Sequence, residues 1–140
     1  MELEDKGSHL SRPVSTHPTD LELQILKILW ETAPLPVREI REALAEDGRD
    51  IAHTSVRTTL NTMFDKGYLK RAKEGKAFLF SPAVEQSNIS SGMLNDLVGK
   101  LFDGSAAAVM LRLMESKEID KDEVKELRRL FNKKLKEMGD

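Results

Sequence analysis

The chain contains no cysteine, one tryptophan and one tyrosine among its 140 residues. The lack of cysteine excludes disulfide bonds, thiolate metal sites and cysteine nucleophiles, and nothing in the sequence requires an oxidising compartment. No apolar run approaches the roughly 20 residues that span a bilayer, and the polar start of the sequence lacks the apolar core of a signal peptide. We therefore expect a cytoplasmic protein with no membrane insertion.

The sequence also lacks the motifs that carry common enzyme chemistry. It has no glycine-rich phosphate loop, no paired-histidine motif and no serine nucleophile elbow. Several carboxylates fall in predicted helices, where a solvated face or a favourable interaction with the helix dipole explains them: Asp20, Glu22, Glu39, Glu42 and Glu46. We therefore expect no enzymatic activity, no cofactor and no metal site.

Positive charge is confined to one window of a chain whose net charge is -2. Residues 51–81 hold six cations against two anions, or +4, whereas residues 19–50 hold four cations against eight anions, or -4. A cationic surface on an acidic chain concentrates a polyanion at one face. This window is therefore the part of the chain that we expect to bind a partner.

Residues 19–82 show the pattern of three helices followed by a hairpin. Thr19 and Glu22 form a capping-box signature for the first helix, and Pro36 suits the first turn of the second. The third helix is predicted over His53–Lys66, with Gly67 as its left-handed cap. Its buried face is formed by Val56, Leu60, Met63 and Phe64.

After Gly67, two short segments with strand character surround a turn at Glu74-Gly75. They cover Tyr68–Lys73 and Lys76–Ser81. The predicted fold class is mainly α with a small β wing (α+β): a disordered tail over residues 1–18, a winged helix-turn-helix over 19–82, and a helical dimerisation domain over 83–140.

The C-terminal segment is predicted to form three helices with apolar faces. It has few bulky aromatic side chains, so it makes a poor independent core, and burial against a second copy is the economical solution. The residues expected at this homodimer interface are Leu94, Leu97, Val98, Leu101, Phe102, Val109, Leu113, Val124, Leu127, Leu130 and Phe131.

The polar face of the third helix carries side chains that suit DNA. Arginine can contact guanine and asparagine can contact adenine, both with paired hydrogen bonds in the major groove, and short hydroxyls can contact phosphates. A solvated surface helix, followed by a basic solubilising turn, is the plain alternative. The candidate DNA-binding residues are His53, Thr54, Ser55, Arg57, Thr58, Asn61, Lys70, Arg71, Lys73 and Lys76.

Four segments together resemble the BlaI/MecI/CopY penicillinase-repressor family of bacterial winged-helix regulators: PTDLELQILKILW, PVREIREAL, VRTTLNTMFDKGYLKR and DKDEVKELRRLFNKK. Their order and spacing are similar to the family's from residue 19 to about residue 136. The resemblance implies a homodimeric transcriptional repressor that binds a two-fold promoter operator, often built on TACA/TGTA-type half-sites. It places the third helix in the major groove and the hairpin along the flanking backbone.

Two family properties do not transfer directly. Copper-responsive members carry a C-terminal cysteine cluster, which this chain lacks. Antibiotic-responsive members are cleaved at an Asn-Phe bond in the dimer arm, and the position that aligns with it here is Arg112-Leu113. By analogy, the resemblance implies a membrane-bound metallopeptidase sensor as a partner that disrupts the arm.

Two other functions remain open from the residues. A winged-helix protein-interaction module could use the third helix and hairpin to dock an acidic partner. A winged-helix regulator could instead respond to a small-molecule effector, although the sequence contains no obvious ligand-pocket signature.

Overall fold

The structure is a computed structural model that describes residues 14–139 and the backbone of residues 3–5. Its elements are β1 (Leu3–Asp5), α1 (Asp20–Glu31), β2 (Leu35–Pro36), α2 (Val37–Glu46), α3 (His53–Lys66), β3 (Leu69–Glu74), β4 (Ala77–Pro82), α4 (Gln86–Phe102), α5 (Ala106–Ser116) and α6 (Lys121–Glu137). By the packing of the chain they divide into two compact units, and the division falls in the sequence between Leu94 and Asn95 of α4.

Helix α1 begins at the predicted capping box. The backbone N–H of Thr19 donates to Glu22 Oε1 over 2.8 Å, and the N–H of Glu22 donates to Thr19 Oγ1 over 3.2 Å. These bonds satisfy two backbone donors that have no partner within the helix. One face of α1 then buries Ile25, Leu26 and Leu29 in the core. The capping-box prediction is confirmed.

Helix α3 has the limits that the sequence predicts, His53 and Lys66. Its four predicted inward residues are all buried, and three of them, Val56, Leu60 and Met63, pack with Ile40 and Leu44 of α2 in one apolar cluster. Gly67 ends the helix with φ of 90°, and its N–H donates to the carbonyls of Met63 and Phe64. A left-handed residue at this position directs the chain out of α3 and into the hairpin.

The sheet has the strand order β1-β3-β4-β2, and all its pairs are antiparallel. Strands β3 and β4 form the predicted hairpin, although Gly75 and Lys76 are its two turn residues and the strands end at Glu74 and begin at Ala77. The two-residue strand β2 pairs with Leu79 and Phe80 of β4. This pairing joins the segment before α2 to the base of the hairpin. Sequence patterns do not reveal so short a strand.

Residues 3–5 and 14 do not fit the disordered tail that we expected over residues 1–18. Leu3–Asp5 pairs with Lys70–Ala72 of β3, and Val14 packs against the core. The open edge of β3 and the core surface supply partners that a local sequence pattern cannot predict. Residues 1–2 and 6–13 of the predicted tail lie outside the described residues.

The first unit continues beyond the boundary that we predicted after Pro82. Ile89 of α4 is 3% exposed and belongs to the core cluster. The indole N–H of Trp30 donates to the carbonyl of Val84 over 2.9 Å, which attaches α1 to the segment after the hairpin. These contacts explain why the compact unit extends to Leu94.

In the second unit, α5 and α6 each begin with a side-chain cap. Ser105 Oγ accepts from the N–H of Ala108 over 3.1 Å, and Asp120 Oδ1 accepts from the N–H of Glu123 over 2.8 Å. Among the described residues, no side chain of either helix is buried. Many large apolar side chains of this unit are instead exposed: Leu97, Leu101, Leu111, Leu113, Met114, Val124, Leu130, Phe131, Leu135 and Met138.

Candidate DNA-binding surface

A groove of about 880 Å³ runs between α3, the start of α2 and the hairpin. One wall is a stripe of α3 residues spaced four apart, which places them on one side of the helix. The opposite wall comes from the hairpin. The lining residues are Pro36, Val37, Arg38, His53, Arg57, Asn61, Asp65, Arg71, Lys76, Ala77, Phe78 and Phe80.

The charge of this groove is mainly positive. Arg38, Arg57, Arg71 and Lys76 supply four cations, and Asp65 supplies one anion. A concave surface lined by charge of one sign concentrates ions of the opposite sign more effectively than a flat one. The groove therefore favours an extended polyanion, such as the backbone of a nucleic acid.

Five of the ten predicted site residues line the groove: His53, Arg57, Asn61, Arg71 and Lys76. Thr54, Ser55 and Thr58 are exposed on α3 but do not line it. Lys70 is half-buried and Lys73 is exposed, both on β3 and outside the groove lining. The structure thus divides the predicted surface into a groove and a flank.

The hydroxyl of Thr58 donates to the carbonyl of Thr54 over 2.9 Å, and that of Thr59 donates to the carbonyl of Ser55 over 2.9 Å. A hydroxyl whose hydrogen is engaged in this way offers only its lone pairs to a ligand. Phosphate oxygens are acceptors, so Thr58 must rotate before it can donate to one. The side chains of Arg57 and Asn61 are better placed to donate to an anionic groove ligand.

Arg38 is not among the residues predicted for this surface, because the second helix was interpreted only through its apolar stripe. It lies in the first turn of α2 and lines the groove beside Val37. Its side chain is exposed and forms a 3.9 Å ion pair with Glu42. The sequence signal that could have found it is a cation in the first turn of a helix that begins just after Pro36.

The C-terminal end of α3 is held by a buried carboxylate that we had wrongly expected to be exposed. Glu22 is 2% exposed, and its Oε2 accepts a 2.8 Å hydrogen bond from Lys66 Nζ. Burial raises the pKa of Glu22, but the hydrogen bonds from Lys66 and Thr19 outweigh it and lower the pKa below its ordinary value. The ionised form is therefore favoured, and it attaches α3 to the start of α1.

The described residues also bear on metal sites and membrane spans. Within residues 14–139, no three histidine, aspartate or glutamate side chains are grouped so that they could hold a metal ion. No helix in the same part of the chain has both the length and the apolar character needed to cross a membrane.

Three helices followed by a β-hairpin, with the third helix and the hairpin sharing a cationic groove, define a winged-helix DNA-binding protein. The chain belongs to the penicillinase repressor family, whose sequence profile matches residues 18–133. This match confirms the family resemblance seen in the sequence, and the family is one of transcriptional repressors.

Individual relatives cover most of the chain. The methicillin resistance regulatory protein MecI of Mammaliicoccus sciuri is 27% identical over 113 residues, which are 81% of this chain and 91% of that protein. The penicillinase repressor of Bacillus licheniformis is 23% identical over 109 residues, covering 78% and 84%. The transcriptional regulator BlaI of Mycobacterium tuberculosis is 30% identical over 112 residues, covering 79% of each chain.

Among solved structures, the solution structure of the DNA-binding domain of the repressor BlaI matches with a TM-score of 0.46 and 25% identity. It covers 52% of this chain and 88% of that domain.

Proposed function

We propose that this protein represses transcription as a homodimer bound to a two-fold symmetric promoter operator. The observation that carries the proposal is the cationic groove, in which Arg57 and Asn61 of α3 face the hairpin across one concave surface. Occupation of the promoter excludes RNA polymerase. The family of transcriptional repressors to which the chain belongs supports the same function.

In this proposal α3 lies in the major groove and reads the sequence. Arg57 and Asn61 are exposed and one helical turn apart, so they can reach adjacent base edges, with arginine suited to guanine and asparagine to adenine. His53, Thr54, Ser55 and Thr58 flank them. Lys70, Lys73 and Lys76 of the hairpin, together with Arg38, contact the phosphates and fix the register.

The proposed homodimer forms through the second unit. Its large apolar side chains are exposed in the single chain, and Leu101 has 69% of its surface accessible. Many exposed large apolar side chains in one unit indicate an interaction site. Two linked winged helices make the second half-site contact intramolecular, so loss of the dimer reduces operator occupancy by orders of magnitude.

Derepression is proposed to follow disruption of this arm, by analogy with the family resemblance, through a membrane-bound metallopeptidase sensor. The aligned bond, Arg112-Leu113, lies inside α5. A protease needs an extended substrate, so cleavage at this bond requires local unfolding of the helix. The exposure of both residues indicates that little packing within the chain opposes that unfolding.

A footprint on the DNA upstream of the protein's own coding sequence tests the proposal. We expect two protected half-sites related by two-fold symmetry, with centres about 34 Å apart or a multiple of that distance.

If the dimer neutralises about 6 to 10 phosphates, log affinity falls with log salt concentration at a slope of roughly -5 to -9. Equal affinity for the footprinted and a scrambled duplex, or a flat salt response, contradicts the proposal.

A further inference from the structure

The side chain of Arg71 lies between two aromatic rings. Its guanidinium carbon is 4.0 Å from the centroid of the Phe64 ring and 4.3 Å from that of the Phe78 ring. The Phe78 ring in turn lies 6.4 Å from the Phe80 ring, tilted by 57°. These four side chains, which we call the aromatic column, connect three different elements: α3, β3 and β4.

The two ends of the aromatic column are fixed in the core. Phe64 and Phe80 are each 2% exposed, so neither ring can move without disturbing the packing around it. Arg71 and Phe78 between them are half-buried and line the groove. A planar guanidinium can be attracted to an aromatic ring on each of its faces, which is a geometry that lysine cannot reproduce.

The aromatic column lies where the pairing of β2 with β4 ends. Strand β2 pairs with β4 only at Leu79 and Phe80. Lys73 and Lys76, on either side of the turn, lie beyond that pairing and are exposed. The contact of Arg71 with Phe64 therefore connects β3 to α3. Its contact with Phe78 extends this connection to β4, one residue beyond the pairing with β2.

We propose that Arg71 is a positioning residue, which sets the hairpin against α3 through the aromatic column and so places the hairpin lysines on DNA. It acts through Phe64 and Phe78 and is not one of the phosphate ligands. This inference rests on the proposed DNA-binding function. It also revises the prediction from the sequence that Arg71 is a DNA-binding residue.

A double-mutant cycle separates the two roles. The variants are Arg71→Met, which keeps an unbranched apolar side chain between the rings, Phe78→Leu, which removes the ring but keeps apolar bulk, and the double variant. Operator affinity is measured by filter binding at several salt concentrations, at a temperature where thermal denaturation shows all variants folded. Lys73→Ala is the control for the loss of one phosphate contact, and its salt slope should fall by about one.

A positioning role predicts that Arg71→Met and Phe78→Leu each weaken operator binding by roughly 5- to 30-fold, and that the double variant is no weaker than the worse single variant. Residues that act through one shared contact are non-additive in this way. If the two effects multiply, or if Arg71→Met behaves like Lys73→Ala while Phe78→Leu binds normally, Arg71 contacts phosphate and the proposal is wrong.

Two other outcomes are also decisive. If all three variants bind the operator with unchanged affinity and only their melting temperatures fall, Arg71 contributes to stability alone. That outcome overturns the positioning role. Failure of the underlying function is visible separately, because the wild-type protein would then fail to distinguish its operator from a scrambled duplex, whatever the Arg71 variants do.

Discussion

Lys66, the last residue of α3, donates a 2.8 Å hydrogen bond to the carboxylate of Glu22 in the first turn of α1. The two residues are 44 positions apart in sequence. Glu22 has 3% of its side chain exposed and Lys66 has 46%, so a buried acceptor meets a donor that remains partly hydrated. The same carboxylate completes the capping box of α1, so one side chain fixes the ends of two helices.

Replacement of Glu22 by glutamine should reduce stability. The amide can still accept from the Thr19 N–H, but the charged hydrogen bond to Lys66 is lost, at a cost of about 1.5 to 3 kcal/mol. Urea denaturation at pH 7, followed by circular dichroism, measures this loss. Glu42→Gln is the matched control, because Glu42 is exposed and its ion pair with Arg38 is long. If the two substitutions lower the free energy of unfolding equally, the buried carboxylate of Glu22 does not stabilise the fold more than the exposed one of Glu42.

The stabilising effect of Glu22 should depend on pH. Its pKa in the folded protein lies below the ordinary value because the hydrogen bonds from Lys66 and Thr19 outweigh the effect of burial. The contribution is therefore complete above the ordinary glutamate pKa of about 4.3 and is lost as the pH falls through the lowered pKa. The difference in unfolding free energy between wild type and Glu22→Gln should shrink under acid. A constant difference from pH 7 to pH 3 would count against this linkage.

Arg57→Ala and Lys73→Ala should affect DNA binding in different ways. Arg57 lines the groove on α3. Its loss should weaken the free energy of operator binding by about 1 to 3 kcal/mol and relax the preference for one base pair. Lys73 is exposed on the hairpin, and its loss should weaken all sequences about equally. Affinities for the operator and for single-base-pair variants of it distinguish these effects. Uniform weakening by both substitutions would place Arg57 on the backbone.

Leu101→Asp should convert the proposed homodimer into a monomer. Leu101 is 69% exposed in the single chain, so a charge there disturbs little within the chain but opposes an apolar interface. Sedimentation velocity should show half the mass with unchanged helix content. Asn95→Asp, an exposed polar position in the same helix, should leave the mass unchanged. If Leu101→Asp remains dimeric, the interface lies elsewhere.

Two glycines of α4 should respond differently to alanine. A Cβ at Gly92 overlaps the side chain of Thr16, whereas a Cβ at Gly99 meets no atom within 4 Å in the part of the chain that the structure describes. Gly99→Ala should raise the free energy of unfolding by up to about 1 kcal/mol through its helix propensity. Gly92→Ala should leave the free energy of unfolding unchanged or lower it. Thermal denaturation measures both. Thr16→Gly added to Gly92→Ala should restore part of the gain; if it does not, the overlap is not the cause.

The parts of the fold that the sequence predicts well have strong local signals. The limits of α3 follow from its buried face of Val56, Leu60, Met63 and Phe64 and from the glycine that ends it. The capping box at Thr19 likewise involves residues only three positions apart. In these segments the local preference and the tertiary packing agree.

The features that the sequence could not predict depend on distant partners. Glu22 looks like any acidic residue in a first helical turn until Lys66 is brought beside it. The stack of Arg71 needs one ring from α3 and another from β4, and strand β2 is too short to show a period. For the candidate site, the residue types were predictable, but their division between the groove and its flank depends on how the hairpin folds back toward α3.

The single tryptophan and the single tyrosine of the chain both lie in the first unit. The Trp30 indole bonds to the carbonyl of Val84, and Tyr68 is 1% exposed. The intrinsic ultraviolet emission of this protein therefore reports on the winged helix, whereas α5, α6 and the second half of α4 carry no strong chromophore. An emission change that precedes or follows the loss of helical signal would separate the unfolding of the two units without any attached label.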